Sequence, residues 1–369
     1  MTRPLRYASE FGPSGYAVAA LRCVRALRVA GVDLCWQPLV DQVEGRVVPL
    51  AGTPLPAELA GLCRERRDGE TLVLHSVPRG WHLAAAELRP AHVIGHSVWE
   101  ADVLPARWTA EMRMADEFWV PTEWNRRTFS DAFGVPVHVV PHAATTVVPE
   151  APPCALPADT FVVAIVSAWD WRKRPDLAIA AFARAFTKDD PAVLVVKTTS
   201  FPIAWPWGQR VAAVAHIAEV LRPFPDHGRV LIDTGEWSEA QVLGLLRRAD
   251  CFLSLTAAEG WGLGAFDAAC QGTPVLITGH GGQVEWLGEH YPGLLPFRMV
   301  AADHPDRALF EPGMTWAAAD VDAATDRLRA LRRGELPELV RAAARLADGL
   351  PDRYSPTAVG SLAASLLPT

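Results

Sequence analysis

Residues 256–282 read Thr-Ala-Ala-Glu-Gly-Trp-Gly-Leu-Gly-Ala-Phe-Asp-Ala-Ala-Cys-Gln-Gly-Thr-Pro-Val-Leu-Ile-Thr-Gly-His-Gly-Gly. The apolar run at 250–255 that precedes them has the pattern of a buried strand in a parallel sheet. Glu259 falls at the carboxyl end of that strand, and Gly260, Gly262 and Gly264 alternate into a helix that runs through Ala269. Glycines at such a junction let a ligand approach the main chain closely. The helix N-terminus adds unpaired N–H groups and a positive dipole end, which suit phosphate. Asp267 lies eight residues after Glu259, so the two carboxylates address different parts of one extended ligand. Gln271-Gly272-Thr273-Pro274 closes the helix, and 274–278 reads as the next strand.

The same alternation continues towards the N-terminus. Residues 161–167 and 192–197 read as strands and 175–186 as a helix with Pro175 in its first turn. Residues 208–221 and 238–248 read as helices, the second opened by a Ser238-x-x-Gln241 capping box, with a strand at 229–233 between them. Arg172-Lys173-Arg174 follows one strand and Lys197 ends another. Both positions are carboxyl ends of parallel strands, where open α/β sheets bind ligands. Only three of the 35 basic residues are lysines, Lys173, Lys188 and Lys197. An Asp-x-Asp pair occurs at Asp320 and Asp322, at the start of a late helix, where carboxylates serve as caps. That placement disfavours a metal-dependent mechanism, and no metal ligand is assigned.

The first part of the chain carries its own α/β alternation. Strands are expected at 5–7, 32–36, 71–75, 91–95, 117–120 and 137–140, with helices at 17–30, 105–115 and 122–133 among them. Gly12 and Gly15 lie between the first strand and the first helix. A dinucleotide site would want G-x-G-x-x-G there and an acidic residue at the end of the second strand. The loop has only G-x-x-G, and Asp33 begins the second strand, which argues against a nicotinamide oxidoreductase. His96 follows the strand at 91–95, and His75 ends the strand at 71–75. Residues 141–160, rich in Pro and Ala, have neither helical nor strand periodicity and read as a linker. Late helices are expected at 322–333, 337–347 and 355–367. The domain plan is therefore an N-terminal domain at 1–148, a linker at 149–160 and a C-terminal domain at 161–350. A final helical segment at 351–369 would pack back on the N-terminal domain.

The composition agrees with a globular α/β protein of two domains: 369 residues, half of them apolar and 21% charged. The net charge of −7 argues against nucleic-acid binding. Residues 1–150 hold 15 Arg and no Lys against 17 acidic residues, so they lack the basic surplus of an anionic-membrane clamp. No apolar run approaches the roughly 18–20 residues of a membrane span. No integral membrane association and a cytoplasmic location are expected. The six cysteines form no C-x-x-C pair and read as reduced thiols.

The stretch from Glu259 to Asp267 resembles the E-x7-E signature of the retaining family-4 glycosyltransferases. The likeness extends to Glu100-Ala-Asp-Val-Leu-Pro-Ala-Arg-Trp, to Asp116-Glu-Phe-Trp-Val-Pro-Thr, to 129–141, and to Ser167-Ala-Trp-Asp-Trp-Arg-Lys-Arg-Pro. It implies the GT-B fold, with two Rossmann-like domains facing a central cleft. It also implies a metal-independent, retaining transfer of a hexosyl-type group from a nucleotide-diphosphate sugar to an acceptor hydroxyl. The nucleotide sugar is then a co-substrate, no cofactor is needed, and the acceptor is a small molecule or a saccharide. By the same resemblance Glu259 contacts the transferred sugar, and Asp267 stands where a ribose-binding Glu belongs, its side chain about 1.5 Å shorter. Lys173 aligns with the family's diphosphate-binding Lys. The Arg that the family carries five positions earlier is Ala168 here, which leaves Ser167, Arg172 and Lys197 to take its place. Gly260, Trp261 and Gly262 present main-chain N–H groups to the donor, with the Trp261 side chain assigned either to packing or to substrate. The Gly12–Gly15 loop borders the acceptor site, Glu100 orients the acceptor, and His96, with His75 as rival, is the cleft histidine. The alternative is a catalytically silent scaffold of the same fold that binds a sugar nucleotide or a partner protein.

Overall fold

The computed structural model describes residues 4–12, 14–41, 47–49, 55, 57–63, 69–78, 80–198, 203–204, 210–211 and 213–368. The chain divides into two compact units, Met1–Thr145 with Asp352–Thr369, and Thr146–Pro351.

In the first unit the elements run β1 (Leu5–Glu10), α1 (Gly15–Val29), β2 (Leu34–Asp41), β3 (Val47–Pro49), α2 (Ala57–Ala60), β4 (Thr71–His75), α3 (Trp81–Leu88), β5 (His92–His96), α4 (Ala106–Met112), β6 (Glu117–Val120), α5 (Glu123–Ala132) and β7 (Val137–Val139). The sheet order is β3-β2-β1-β4-β5-β6-β7. Its pairings are parallel except that of β2 with β3. β4 is buried along its whole length, as a strand covered on both faces must be. Ser14 accepts a hydrogen bond from the Ala17 N–H and Thr122 from the Asn125 N–H, so hydroxyl caps set the starts of α1 and α5.

The second unit contains β8 (Phe161–Val166), α6 (Pro175–Ala185), β9 (Ala192–Lys197), β10 (Ile203–Ala204), β11 (Arg210–Val211), α7 (Ala213–Leu221), β12 (Arg229–Asp233), α8 (Glu239–Arg248), β13 (Cys251–Ser254), α9 (Leu263–Cys270), β14 (Val275–Thr278), α10 (Gln283–Leu287), β15 (Leu294–Leu295), β16 (Phe297–Ala301), β17 (Thr315–Ala319), α11 (Val321–Arg332) and α12 (Pro337–Arg353). Its sheet is parallel in the order β12-β9-β8-β13-β14-β15. Strand order reverses between β8 and β13, and in the first unit between β1 and β4. A doubly wound sheet opens a crevice at its carboxyl edge at such a reversal.

α13 (Pro356–Ser365) returns to the first unit and lies on α1. Val359 and Ala363 enter the core cluster that holds Ala20, Cys23 and Ala26. A Cβ on Gly360 would stand 2.0 Å from the Ala26 carbonyl oxygen, so the two helices meet backbone to backbone. In the second unit the Pro-rich segment after Thr146 packs on α8. The Glu150 N–H donates to the Ala240 carbonyl, and a Cβ on Gly244 would fall 1.5 Å from the Glu150 oxygen. The Arg248 guanidinium fastens the same segment through the carbonyls of Pro157 and Thr160.

Several expectations shift in register. The first strand runs on to Glu10 and the second spans Leu34–Asp41. The helix expected to end before Pro351 continues through it to Arg353. A proline there costs one hydrogen bond close to the helix end, where little remains to be broken. The antiparallel pair β16–β17 was not foreseen, because Thr-Trp-Ala-Ala-Ala has weak strand propensity and its partner lies more than a dozen residues away. The helix expected from 208 begins only at Ala213: residues 208, 209 and 212 lie outside the described residues, and Arg210–Val211 instead pairs as strand β11 with β10. Among the described residues no helix is long and apolar enough to cross a membrane.

Candidate active site

The loops after β8 and β13 are stitched together. After Val166 the chain passes Ser167, whose N–H donates to the Lys197 carbonyl, and the exposed Ala168. Asp170 then caps a single 3-10 turn, Trp171–Lys173, by accepting from the Arg172 N–H at 2.9 Å. Arg174 is left-handed at φ 47, and its guanidinium is clasped by Asp176 (2.8 and 3.1 Å) over the Trp171 ring. From the other side the Ala257 N–H donates to the Arg172 carbonyl at 2.8 Å, and Arg172 donates to the Ala258 carbonyl at 2.6 Å.

These bonds bring Lys173 against Glu259. The ammonium donates to both carboxylate oxygens, at 2.6 and 2.7 Å, and the Arg172 guanidinium stands 3.7 Å from one of them. Glu259 is 7% exposed. Its carbonyl accepts from the Gly282 N–H, and a Cβ on Gly281 would lie 2.6 Å from that carbonyl. The Gln283 side-chain amide holds this second loop by donating to the carbonyls of Thr278 and His280.

Each loop glycine near Glu259 has a separate task. Gly262 precedes α9 at φ 80, a conformation that side chains resist. A Cβ on Gly264 would meet the Val166 carbonyl at 2.9 Å, so this glycine lets α9 start against the end of β8. Gly260 is buried in the turn before them. Asp267 is on α9 and 8% exposed. The Trp261 side chain packs, with Phe266 at 5.1 Å and Trp286 at 6.3 Å, and its carbonyl accepts from the Trp286 indole.

Lys197 is not part of this cluster. Its ammonium donates to the carbonyls of Thr198 and Gly235 at 2.9 and 2.8 Å and lies over Trp237. Burial pushes its pKa down, opposed by Asp233. Of the three candidates for the missing Arg, Arg172 stands by Glu259 and Ser167 follows the end of β8, while Lys197 is held by Thr198 and Gly235. Asp320 caps α11 through the Ala323 N–H, and Asp322 pairs with Arg184. Among the described residues no cluster of three or more His, Cys, Asp or Glu side chains is arranged to hold a metal.

In the first unit, His75 and His96 end β4 and β5 and are register partners, their rings stacked at 3.7 Å. The Tyr7 hydroxyl lies 2.6 Å from Nδ1 of His75 and 3.0 Å from Nδ1 of His96. His142 stacks near both at 6.3 and 6.4 Å. All three imidazoles are buried, and burial drives their pKa values down, that of His142 to about 3 with help from the Arg22 charge. They are neutral at physiological pH. Tyr16, in the first turn of α1, donates to the Val98 carbonyl at 2.7 Å. Its pKa is raised, first by burial and then by the charge of Glu100, which places Glu100 beside this group. Gly12 and Gly15 lie in the crossover from β1 to α1, and a Cβ on either meets no atom within 4 Å. Sequence reasoning missed Tyr7 and Gln283. Nothing local marks Tyr7, which is simply every second residue of a buried strand.

A family profile described as Family 4 Glycosyltransferase in conflict systems matches residues 122–358. No curated protein sequence matches the chain. Among solved structures, the sucrose-phosphate synthase of Thermosynechococcus elongatus superposes with a TM-score of 0.64 at 16% identity, covering 99% of this chain and 98% of that one. A trehalose-6-phosphate structure from E. coli bound with UDP-2-fluoro glucose gives 0.61 at 11% identity, covering 99% and 98%. TarM of S. aureus, solved with UDP, gives 0.57 at 13% identity over 81% of this chain, which spans 55% of the TarM chain. At such identities these likenesses show the shared fold, GT-B with two Rossmann-like units. The profile covers well over half of the sequence, including every residue of the Glu259 loop, and the chain belongs to the family-4 glycosyltransferases of conflict systems.

Proposed function

We propose that the chain transfers a hexosyl-type group from a nucleotide-diphosphate sugar to a hydroxyl of a small-molecule or saccharide acceptor, with retention and without a metal ion. The observation that carries this reading is the meeting of Glu259 with Lys173 and Arg172 at the carboxyl ends of β8 and β13, beside the start of α9. When the sugar C1–O bond breaks, its electron pair passes to the phosphate oxygen and the diphosphate gains one negative charge. Lys173, released from Glu259, and Arg172 oppose that charge together with the main-chain N–H groups of 260–262. Glu259 then turns to the sugar hydroxyls, and Asp267 to the ribose.

The acceptor oxygen bonds to C1 on the face that the phosphate leaves, and its proton passes to the departing phosphate oxygen. Configuration is thereby retained. In the first unit His96 meets a substrate hydroxyl, while Glu100 and the Gly12–Gly15 turn border the acceptor. Two fixed cations do the work a divalent ion does elsewhere, and the Asp320–Asp322 pair is occupied in capping and pairing. The six cysteines form no disulfide, which suits a cytoplasmic protein.

Solved neighbours hold UDP-2-fluoro glucose and UDP, so UDP-sugars head a panel continued by GDP-, dTDP- and ADP-sugars. One donor is expected to raise the melting temperature and to be consumed in the presence of an acceptor mixture, with the anomeric configuration kept and EDTA without effect. Glu259→Ala should abolish turnover. Binding without any consumption would identify the silent scaffold. Activity lost to EDTA and restored by a divalent ion would overturn the metal-free scheme.

A further inference from the structure

The Tyr7 hydroxyl faces two imidazole nitrogens and carries one proton. Tyr7, His75 and His96 are 0, 1 and 1% exposed, so the three groups bond to one another rather than to bulk water. The Cys23 thiol also lies against the hydroxyl. A thiol is a weak donor and a weak acceptor, so it competes poorly with an imidazole nitrogen for the tyrosine proton. Tyr7 can then donate to only one of the two Nδ1 atoms, and the other Nδ1 must itself be protonated and donate to the tyrosine oxygen. The two rings therefore hold complementary tautomers.

The distances choose between the two arrangements. O–H donors make shorter hydrogen bonds than neutral N–H donors. The 2.6 Å contact fits Tyr7 donating to His75, and the 3.0 Å contact fits the Nδ1–H of His96 donating to Tyr7. Nε2 of His96 is then a bare lone pair. That atom is buried, and among the described residues no group pairs with it.

We propose that Tyr7 is a positioning residue that holds His96 in its Nδ1–H tautomer, so that Nε2 of His96 accepts a hydrogen bond from a substrate hydroxyl and cannot donate one. The substrate half of this statement rests on the transferase reading above, and the tautomer half does not. Selectivity follows: a substrate that offers His96 an oxygen without a proton, such as a methyl ether, is refused.

The test is the two-bond 1H–15N correlation spectrum of the imidazoles in the full-length 15N-labelled chain, with His96→Gln and His75→Asn identifying the signals. His96 is expected with Nδ1 protonated and Nε2 bare, and His75 with the reverse. In Tyr7→Phe, and equally in His75→Asn where Tyr7 is free to donate to His96, the His96 proton is expected on Nε2. With the donor found in the panel, Tyr7→Phe should lower kcat about 10- to 100-fold, taking the range seen for partners that orient metal-binding imidazoles as a guide, with KM for the donor nearly unchanged. A wild-type His96 protonated on Nε2, or a His96 tautomer indifferent to both variants, overturns the proposal, and the wild-type spectrum decides even if Tyr7→Phe does not fold. A chain that shows the expected tautomers but transfers no sugar from any donor refutes the transferase reading instead.

Discussion

The Lys173 ammonium neutralises the Glu259 carboxylate bidentately, at 2.6 and 2.7 Å, across 86 residues of sequence. The pair sets a condition on donor binding. A diphosphate that recruits Lys173 must take it from Glu259, and Glu259 must find replacement donors on the sugar. Affinity for nucleoside diphosphate alone is therefore expected to be weaker than for the complete nucleotide sugar, which calorimetric titration of both ligands will measure.

Breaking the pair from either side should be costly, because each partner is largely buried. Lys173→Met is expected to lower kcat/KM at least about 100-fold, the scale on which charge-stabilising groups act. In a stability cycle, Lys173→Met and Glu259→Gln together should couple by about 0.5–3 kcal/mol. Urea unfolding of the two single variants and the double variant gives that number, and additive losses would mean that the pair contributes nothing to stability.

The glycines near the two sites should answer differently to alanine. Gly262→Ala forces a side chain into a left-handed turn at φ 80 and should cost about 1–2 kcal/mol, with loss of turnover. Gly15→Ala, in open space at the start of α1, should leave the melting temperature at or above that of the parent. Scanning calorimetry of the two variants separates conformational need from loop habit.

Gly360→Ala sets a Cβ 2.0 Å from the Ala26 carbonyl and should destabilise the first unit by about 1–3 kcal/mol. Hydrogen exchange resolved by peptide is expected to rise in α1 and α13 first. Equal protection there in variant and parent would contradict the backbone contact.

Acid should weaken the first unit. His75, His96 and His142 all have folded pKa values below the ordinary 6.5, His142 at about 3. Below pH 6.5 the unfolded chain binds protons that the folded one refuses. The stabilisation from neutral burial is thus complete above pH 6.5 and lost as pH falls beneath it, by about 1.4 kcal/mol per pH unit for each histidine. Urea midpoints between pH 7 and 5 should fall steeply for the parent and less steeply for His142→Gln.

Much of the architecture was readable without coordinates. The β/α alternation, the capping box at Ser238 and Gln241, and the Glu259–glycine junction rest on periodicities and turn chemistry that span a few residues. The choice among cations was not readable: Lys173 follows one strand and Lys197 ends another on the same sheet edge. Only the stitching of Arg172 to Ala257 and Ala258 turns Lys173 towards Glu259, while Lys197 is spent on two carbonyls. Trp261 was equally open, since a tryptophan in a glycine loop serves packing or binding with the same local sequence.

The amino-acid sequence by itself determined where strands end, where a phosphate-ready helix begins, and that a carboxylate stands at that junction, because those features depend on neighbours within one or two turns. Tertiary structure alone decided that Lys173 meets Glu259 and that Tyr7 stands between His75 and His96. Such meetings depend on which strands lie side by side, and strand order is settled by burial across the whole sheet rather than by any local pattern of residues.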